Sequence, residues 1–275
     1  MVDFKMENKI GAVIPKKIHY VWMGTAPKNE LTLRCIESWK KYMPDYEIIE
    51  WNESNFDVNQ IEYTAKAYKD KKWAFVSDAV RTYALKTYGG VYFDTDVELF
   101  SEPKDIFDDA EAVLGFDNAF LLSTGVMATV PEHPIFKQLW SLYESTQFSN
   151  IQDEETINTK LTFIALDVLK QKRLFNGAYF IDNVKIYPRE YFSNNNKDKG
   201  EPIFAIHYFS GSWKMKTELT FVQYVIFALK FRMLLIFEPL LSSKKYIKIN
   251  DSIWRWALKK TRKNLSRKAR IYKVL

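Results

Sequence analysis

The chain has 275 residues, 47% of them hydrophobic and 16% aromatic, enough for a substantial core in one large domain or two small ones. Its single cysteine, Cys35, excludes an internal disulfide and a thiolate cluster for zinc, and a reducing compartment fits. The opening MVDFKMENK lacks the apolar run and small-residue cleavage site of a secretory signal, so a cytoplasmic chain is expected. The net charge of +6 is unevenly spread: residues 214–275 hold 16 Lys and Arg against 3 Asp and Glu, and the rest of the chain is acidic. That asymmetry points to an acidic partner for the basic segment, either nucleic acid or an anionic membrane.

IPKKIHYVWMG (14–24) is β-rich, ends at a glycine and predicts a first strand of about five residues. Residues 30–43 predict a helix that Pro44 stops, and YEIIEW (46–51) a second strand. A helical segment near 60–70 follows. WAFVSDAVRTYALKTYGG (73–90) puts Val76, Val80, Tyr83, Ala84 and Thr87 on one helical face before two glycines. VYF then opens a third strand. Further short strands are predicted at 112–116, 120–128, 184–187 and 203–207, helices near 134–145 and 154–170, and a surface loop at 193–202. The alternation predicts an α/β domain with mostly parallel strands.

The third strand runs into Asp94, Thr95 and Asp96. Strand alternation would send both carboxylates to one side, beyond the carboxyl end of the sheet, where ligands of α/β proteins gather. Two like charges there call for a hard divalent cation such as Mg²⁺ or Mn²⁺, which also leaves positions open for phosphate oxygens. The plain alternative is a polar turn. Upstream, Asp78 and Arg81 stand three apart on one helical face, as a surface ion pair or as a carboxylate and guanidinium offered to sugar hydroxyls or phosphate.

The run SDAVRTYALKTYGGVYFDTDVELF, with IPKKIHYVWMG, SWKKYMPDYEIIEW and the late HYFSGSW (207–213), resembles the sugar transferases with a DXD motif, glycosyltransferase family 32. Its members include bacterial capsule and lipopolysaccharide transferases, yeast mannosyltransferases and, more distantly, glucosylating clostridial toxins. The resemblance implies a GT-A fold, a nucleotide-sugar donor with UDP ahead of GDP, a divalent cation (Mn²⁺ or Mg²⁺) and transfer with retention. By position it implies that Asp94, Asp96 and His207 hold the metal. Asp78 and Arg81 then hold the donor sugar, Trp22 lies near the base, and Ser212 and Trp213 close over the diphosphate. A buried imidazole for His207, and core packing for Trp22 and Trp213, are the plain alternatives. No carboxylate stands out as a nucleophile. Same-face attack is therefore expected, with Asn118 or a neighbouring hydroxyl in DNAFLLSTG on the acceptor side.

FVQYVIFALKFRMLLIFEPLL (221–241) is apolar but interrupted by Lys230 and Arg232, and its longest uncharged run is too short to span a bilayer. After Pro239, Trp254, Leu258, Leu265 and Tyr272 recur at roughly helical spacing among many cations, which suits an interfacial helix on anionic lipid better than nucleic-acid binding. The expected organisation is a catalytic domain over 1–215 and a basic, amphipathic, helical membrane-association region over 216–275. The expected activity moves a hexose, glucose or galactose, from a UDP-sugar to a lipid-linked saccharide. It would serve bacterial surface-polysaccharide assembly at the inner face of the cell membrane. The rival expectations are a metal-dependent phosphohydrolase and a non-catalytic membrane adaptor that keeps a nucleotide-sugar site.

Overall fold

The computed structural model describes residues 13–117, 121–148, 156–174, 176–192 and 204–210, together with single positions between 226 and 256. The chain divides into two compact units, one of Met1–Phe148 with Thr156–Ser210, the other of Ser149–Glu155 with Gly211–Leu275.

The first unit opens with strand β1 (Lys17–Val21), helix α1 (Glu30–Tyr42) and strand β2 (Glu47–Trp51). Asn29 starts α1 by accepting the Thr32 N–H at 2.9 Å, and Pro44 lies just past its end. Helices α2 (Glu62–Lys69) and α3 (Trp73–Tyr88) lead to β3 (Gly90–Phe93) and the short β4 (Val97–Leu99). Strands β5 (Ala112–Gly115) and β6 (Val126–Thr129), helices α4 (Pro134–Ser145) and α5 (Ile157–Val168), and strands β7 (Tyr179–Ile181) and β8 (Val184–Tyr187) follow. Helix α6 (Arg189–Phe192) and strand β9 (Ala205–His207) complete the unit.

The main sheet has the order β2-β1-β3-β6-β5-β8-β7, while β4 and β9 form a separate antiparallel ribbon. Five of the seven strands run one way and β6 and β7 run against them, so the mostly parallel α/β sheet expected from the sequence is present. The chain leaves β1 toward β2 on one side and returns to β3 on the other. The carboxyl ends of β1 and β3 therefore flank a topological switch point, where sheets of this kind bind ligands.

Val91 and Phe93 of β3 join Ile18, Trp39, Val126 and Ala128 in the core beneath α1, while Tyr92 faces α3. Each of the valine, isoleucine and phenylalanine side chains among them contributes about 1.5–3 kcal/mol by leaving water. The α3 helix is buried on more than the one face its periodicity suggests: Ala79, Arg81, Thr82 and Leu85 are buried beside Val76, Val80 and Ala84. The double glycine is sterically required. A Cβ on Gly90, at φ +95°, would lie 2.7 Å from the Lys17 carbonyl.

One expectation needs correction. The strand expected over 120–128 is confined to β6, and residues 121–125 approach it without strand structure apart from a single bridge at Leu122. Strands β4 and β7 and helix α6 had no signal, because three or four residues are too few for a period to show. The expected 193–202 loop lies outside the described residues. In the second unit every described position except Leu241 is helical.

Candidate active site

Strand β3 ends at Phe93, and Asp94–Val97 is a tight turn closed by a bond from the Val97 N–H to the Asp94 carbonyl at 2.9 Å. The two aspartates meet by that turn and not by the pleat of a strand. Asp94 is also pinned to the next strand, because its N–H donates to the Gly125 carbonyl at 2.9 Å. Asp96 opens the ribbon, where Val97 pairs with His207, and the Tyr208 N–H donates to the Asp96 carbonyl at 3.0 Å. The register thus places His207 beside the DXD turn from more than a hundred residues away. Its Nε2 lies 3.1 Å from Asp96 Oδ1 and 3.8 Å from Asp94 Oδ2. One atom from each of Asp94, Asp96 and His207 falls within 4.8 Å of the others.

Arg81 is buried, and its five N–H groups have five internal partners. Nε donates to the Ser77 carbonyl (3.3 Å), Nη1 to the Thr124 carbonyl (3.0 Å) and to Asp94 Oδ1 (2.9 Å), and Nη2 to Ser77 Oγ (3.2 Å) and Asp78 Oδ1 (3.1 Å). Burial opposes its charge, but Asp94, Tyr92 and Asp78 more than offset it and the guanidinium stays protonated. It stacks on the Tyr92 ring at 4.7 Å, and the Tyr92 hydroxyl donates to Asp94 Oδ1 at 2.9 Å. Burial, opposed by Arg81 and aided by Asp94, holds that hydroxyl well above its ordinary pKa, so it remains a donor.

Burial alone would raise Asp96. The hydrogen bond and charge of His207 and two bonds from Ser210 outweigh it and hold the carboxyl far below its usual range. Burial would likewise lower His207, but its hydrogen bond to Asp96 and the charges of Asp94 and Asp96 raise it. The field that raises His207 is one that attracts cations. His207 Nδ1 is buried with no hydrogen-bond partner among the described residues, and the ring stacks on Phe209 at 4.1 Å.

The ribbon is fastened to α1. Trp39 Nε1 donates to the Val97 carbonyl at 2.8 Å, and the Leu99 N–H to Ser38 Oγ at 2.9 Å. Arg34 Nε (3.1 Å) and the Tyr208 hydroxyl (2.6 Å) both donate to Glu98 Oε2.

Asp78 is partly buried and joined to the cluster through Arg81. Trp22 follows β1 directly; its indole N–H donates to the Ala26 carbonyl at 2.8 Å, and Lys28 lies over its ring at 5.7 Å while ion-paired to Glu50 at 2.7 Å. Asn118, Ser212 and Trp213 lie outside the described residues. Sequence reasoning missed four residues at this site. Tyr92 and Ser210 hold the aspartates. Gly125 gives His207 room, since a Cβ there would come within 2.8 Å of the ring. Asn158, whose Nδ2 donates to the Leu122 carbonyl at 2.9 Å, accepts the Thr124 hydroxyl at 3.3 Å on the far side of Arg81. The glycine ending LLSTG and the tyrosine two before Asp94 were the only available signals.

Two carboxylates and an imidazole of this spacing are a hard-to-borderline donor set that suits Mn²⁺ or Mg²⁺, and their three atoms converge without rearrangement. Residues 29–113, which include Asp78, Arg81, Asp94 and Asp96, match the family described as glycosyltransferase sugar-binding region containing DXD motif. A search of curated proteins found no match. Similar solved structures include the PaToxG glycosyltransferase, 18% identical over 57% of this chain and 70% of that one with a TM-score of 0.46. A second is the galactosyltransferase LgtC in complex with donor and acceptor sugar analogs, 13% identical over 70% of this chain and 87% of that one, TM-score 0.38. A third is the apo-form glycosyltransferase GlyE of Streptococcus pneumoniae TIGR4, 11% identical over 64% of this chain and 46% of that one, TM-score 0.34. A DXD sugar-binding region implies a divalent metal and a nucleotide-sugar donor, and with that region over residues 29–113 the chain is a glycosyltransferase.

Proposed function

We propose that the chain is a retaining GT-A enzyme that transfers a hexose, glucose or galactose, from a UDP-sugar to a lipid-linked saccharide in bacterial surface-polysaccharide synthesis. The observation that carries the reading is the convergence of Asp94 Oδ2, Asp96 Oδ1 and His207 Nε2 at the switch point of the sheet. Those atoms would hold Mn²⁺, or Mg²⁺. Bound there, the cation supplies Lewis-acid neutralisation of the departing diphosphate. Asp78 orients the donor sugar, and Arg81, paired with both carboxylates, holds Asp78 and Asp94 in place. Trp22 is a platform for the base at the end of β1, and Ser212 and Trp213 donate to diphosphate oxygens as charge develops there. Asn118 is the group assigned to the acceptor side for same-face attack.

Asp96→Ala removes one ligand and is expected to lower metal-dependent turnover by several powers of ten while leaving the fold intact. The assay is donor hydrolysis and transfer across a panel of nucleotide sugars, with and without Mn²⁺. Near-normal turnover in that variant overturns the metal assignment, and phosphate release without sugar transfer would make the protein a phosphohydrolase.

The second unit supports the lipid part of the reading. Ile226, Leu229 and Met233 are helical and exposed by 38, 58 and 52%, at the three- and four-residue spacing of one helix face. Lys230 lies 4.5 Å from the Trp256 ring, and Lys245 and Lys248 are exposed. Apolar groups beside cations suit an anionic bilayer surface. No helix among the described residues is long and apolar enough to cross a membrane. Full-length protein carrying Leu229→Asp with Met233→Asp should lose flotation with anionic liposomes. Unchanged recovery counts against the surface.

A further inference from the structure

Each aspartate of the turn has one oxygen held by the protein and one facing the shared centre. On Asp94, Oδ1 accepts from Arg81 Nη1 and from the Tyr92 hydroxyl, both at 2.9 Å, while Oδ2 is the oxygen toward His207. On Asp96, Oδ2 accepts both the Ser210 N–H and the Ser210 hydroxyl at 2.8 Å, while Oδ1 is the oxygen toward His207. We propose that Tyr92 and Ser210 are positioning residues that restrict each aspartate to a one-oxygen metal ligand. The protein then gives three donor atoms to a six-coordinate cation and reserves the other three positions for diphosphate oxygens and water. This rests on the metal-dependent reading above.

The physical reason is rotation about the last side-chain bond. An unrestrained carboxylate can turn either oxygen, or both, toward a cation, and each extra oxygen occupies a position that the donor needs. Two short donors on one oxygen remove that freedom. Tyr92 cannot swing away, because its ring is buried, lies under the Arg81 guanidinium and has its hydroxyl 3.4 Å from Ser77 Oγ. Ser210 stands three residues after His207, so one short segment brings both a metal ligand and the restraint on its neighbour. Displacing that segment disturbs both together.

Isothermal titration of the full chain with MnCl₂ in the absence of any sugar nucleotide tests this without reference to turnover. Tyr92→Phe and Ser210→Ala are each expected to weaken Mn²⁺ binding by about tenfold, the lower end of what outer partners of metal ligands contribute. Ser210→Ala keeps the backbone donor and reads the hydroxyl alone, and Ser210→Thr should restore affinity. Ser210→Ala should also raise the affinity for Ca²⁺ relative to Mn²⁺, because Ca²⁺ accepts two-oxygen carboxylates and more ligands. Turnover of both variants should climb back toward the wild-type value at saturating Mn²⁺, which a folding lesion would not allow. Wild-type Mn²⁺ affinity in both variants, with an unchanged Ca²⁺ to Mn²⁺ ratio, overturns the positioning role and leaves the metal centre standing. A wild-type protein that binds no Mn²⁺ overturns both.

Discussion

Gly125 has no chemistry of its own, yet Gly125→Ala should impair the proposed metal centre. An ideal Cβ there lies 2.8 Å from His207 Cε1 and Nδ1 and 3.3 Å from Asp94 Oδ2. Comfortable contact begins near 3.5 Å, so about 0.7 Å must be found. The glycine backbone is poorly placed to yield it, because the Gly125 carbonyl accepts the Asp94 N–H at 2.9 Å and its N–H donates to Ser123 Oγ at 3.2 Å. The His207 ring must retreat, stretching its 3.1 Å contact with Asp96. Overpacking of this kind costs about 1–3 kcal/mol of stability. A ligand displaced on this scale should lower Mn²⁺ affinity at least tenfold and turnover at limiting metal by up to about 10²-fold. Titration with MnCl₂, beside a urea melt to establish that the variant is folded, gives the answer. A folded Gly125→Ala protein with wild-type metal affinity would refute the packing argument and with it His207 as a ligand.

Two further predictions concern the frame. The Trp51 indole N–H donates to His19 Nδ1 at 3.0 Å, so Nε2 carries the proton and meets the Gly89 carbonyl at 2.8 Å. Burial, opposed by that carbonyl bond and aided by Lys17, lowers His19 from 6.5 to about 4. The unfolded chain therefore binds the extra proton first: stability is full above pH 6.5 and falls as pH drops toward 4, by up to about 3 kcal/mol. Urea midpoints at several pH values should show that slope in the wild type and less of it in His19→Gln; equal slopes would exclude His19 as its source. Gly90→Ala combines a left-handed backbone with a Cβ 2.7 Å from the Lys17 carbonyl, and should cost at least about 2 kcal/mol by urea denaturation. A wild-type midpoint would show that the β1–β3 contact can relax.

The frame was legible where periodicity or punctuation was strong. The expected 134–145 helix has the bounds of α4, and Pro44 and the double glycine mark real ends. The site was legible only in part. Spacing placed Asp94 beside Asp96 but gave the wrong cause, since alternation belongs to strands and these residues form a turn. Spacing also put Asp78 and Arg81 on one helix face, yet could not show that Arg81 faces inward and has every N–H engaged by the protein. Ser210 and Gly125 act through contacts a hundred residues apart, or nearly so, and no local pattern reports those.

The arrangement divides the proposed metal centre between two pieces of framework. Asp94 hangs from the main sheet, tied to β6 through Gly125, whereas Asp96 and His207 ride on the β4–β9 ribbon. The distance between the two groups is therefore set by how the ribbon seats on α1, through Trp39 to Val97, Ser38 to Leu99 and the meeting of Arg34 and Tyr208 on Glu98. Only the first two of these contacts are buried; the third has an exposed partner and is weak alone. The carboxyl end of the ribbon, at His207 to Ser210, is the less firmly held side of the centre, and Asp96 is the residue that joins it to the turn.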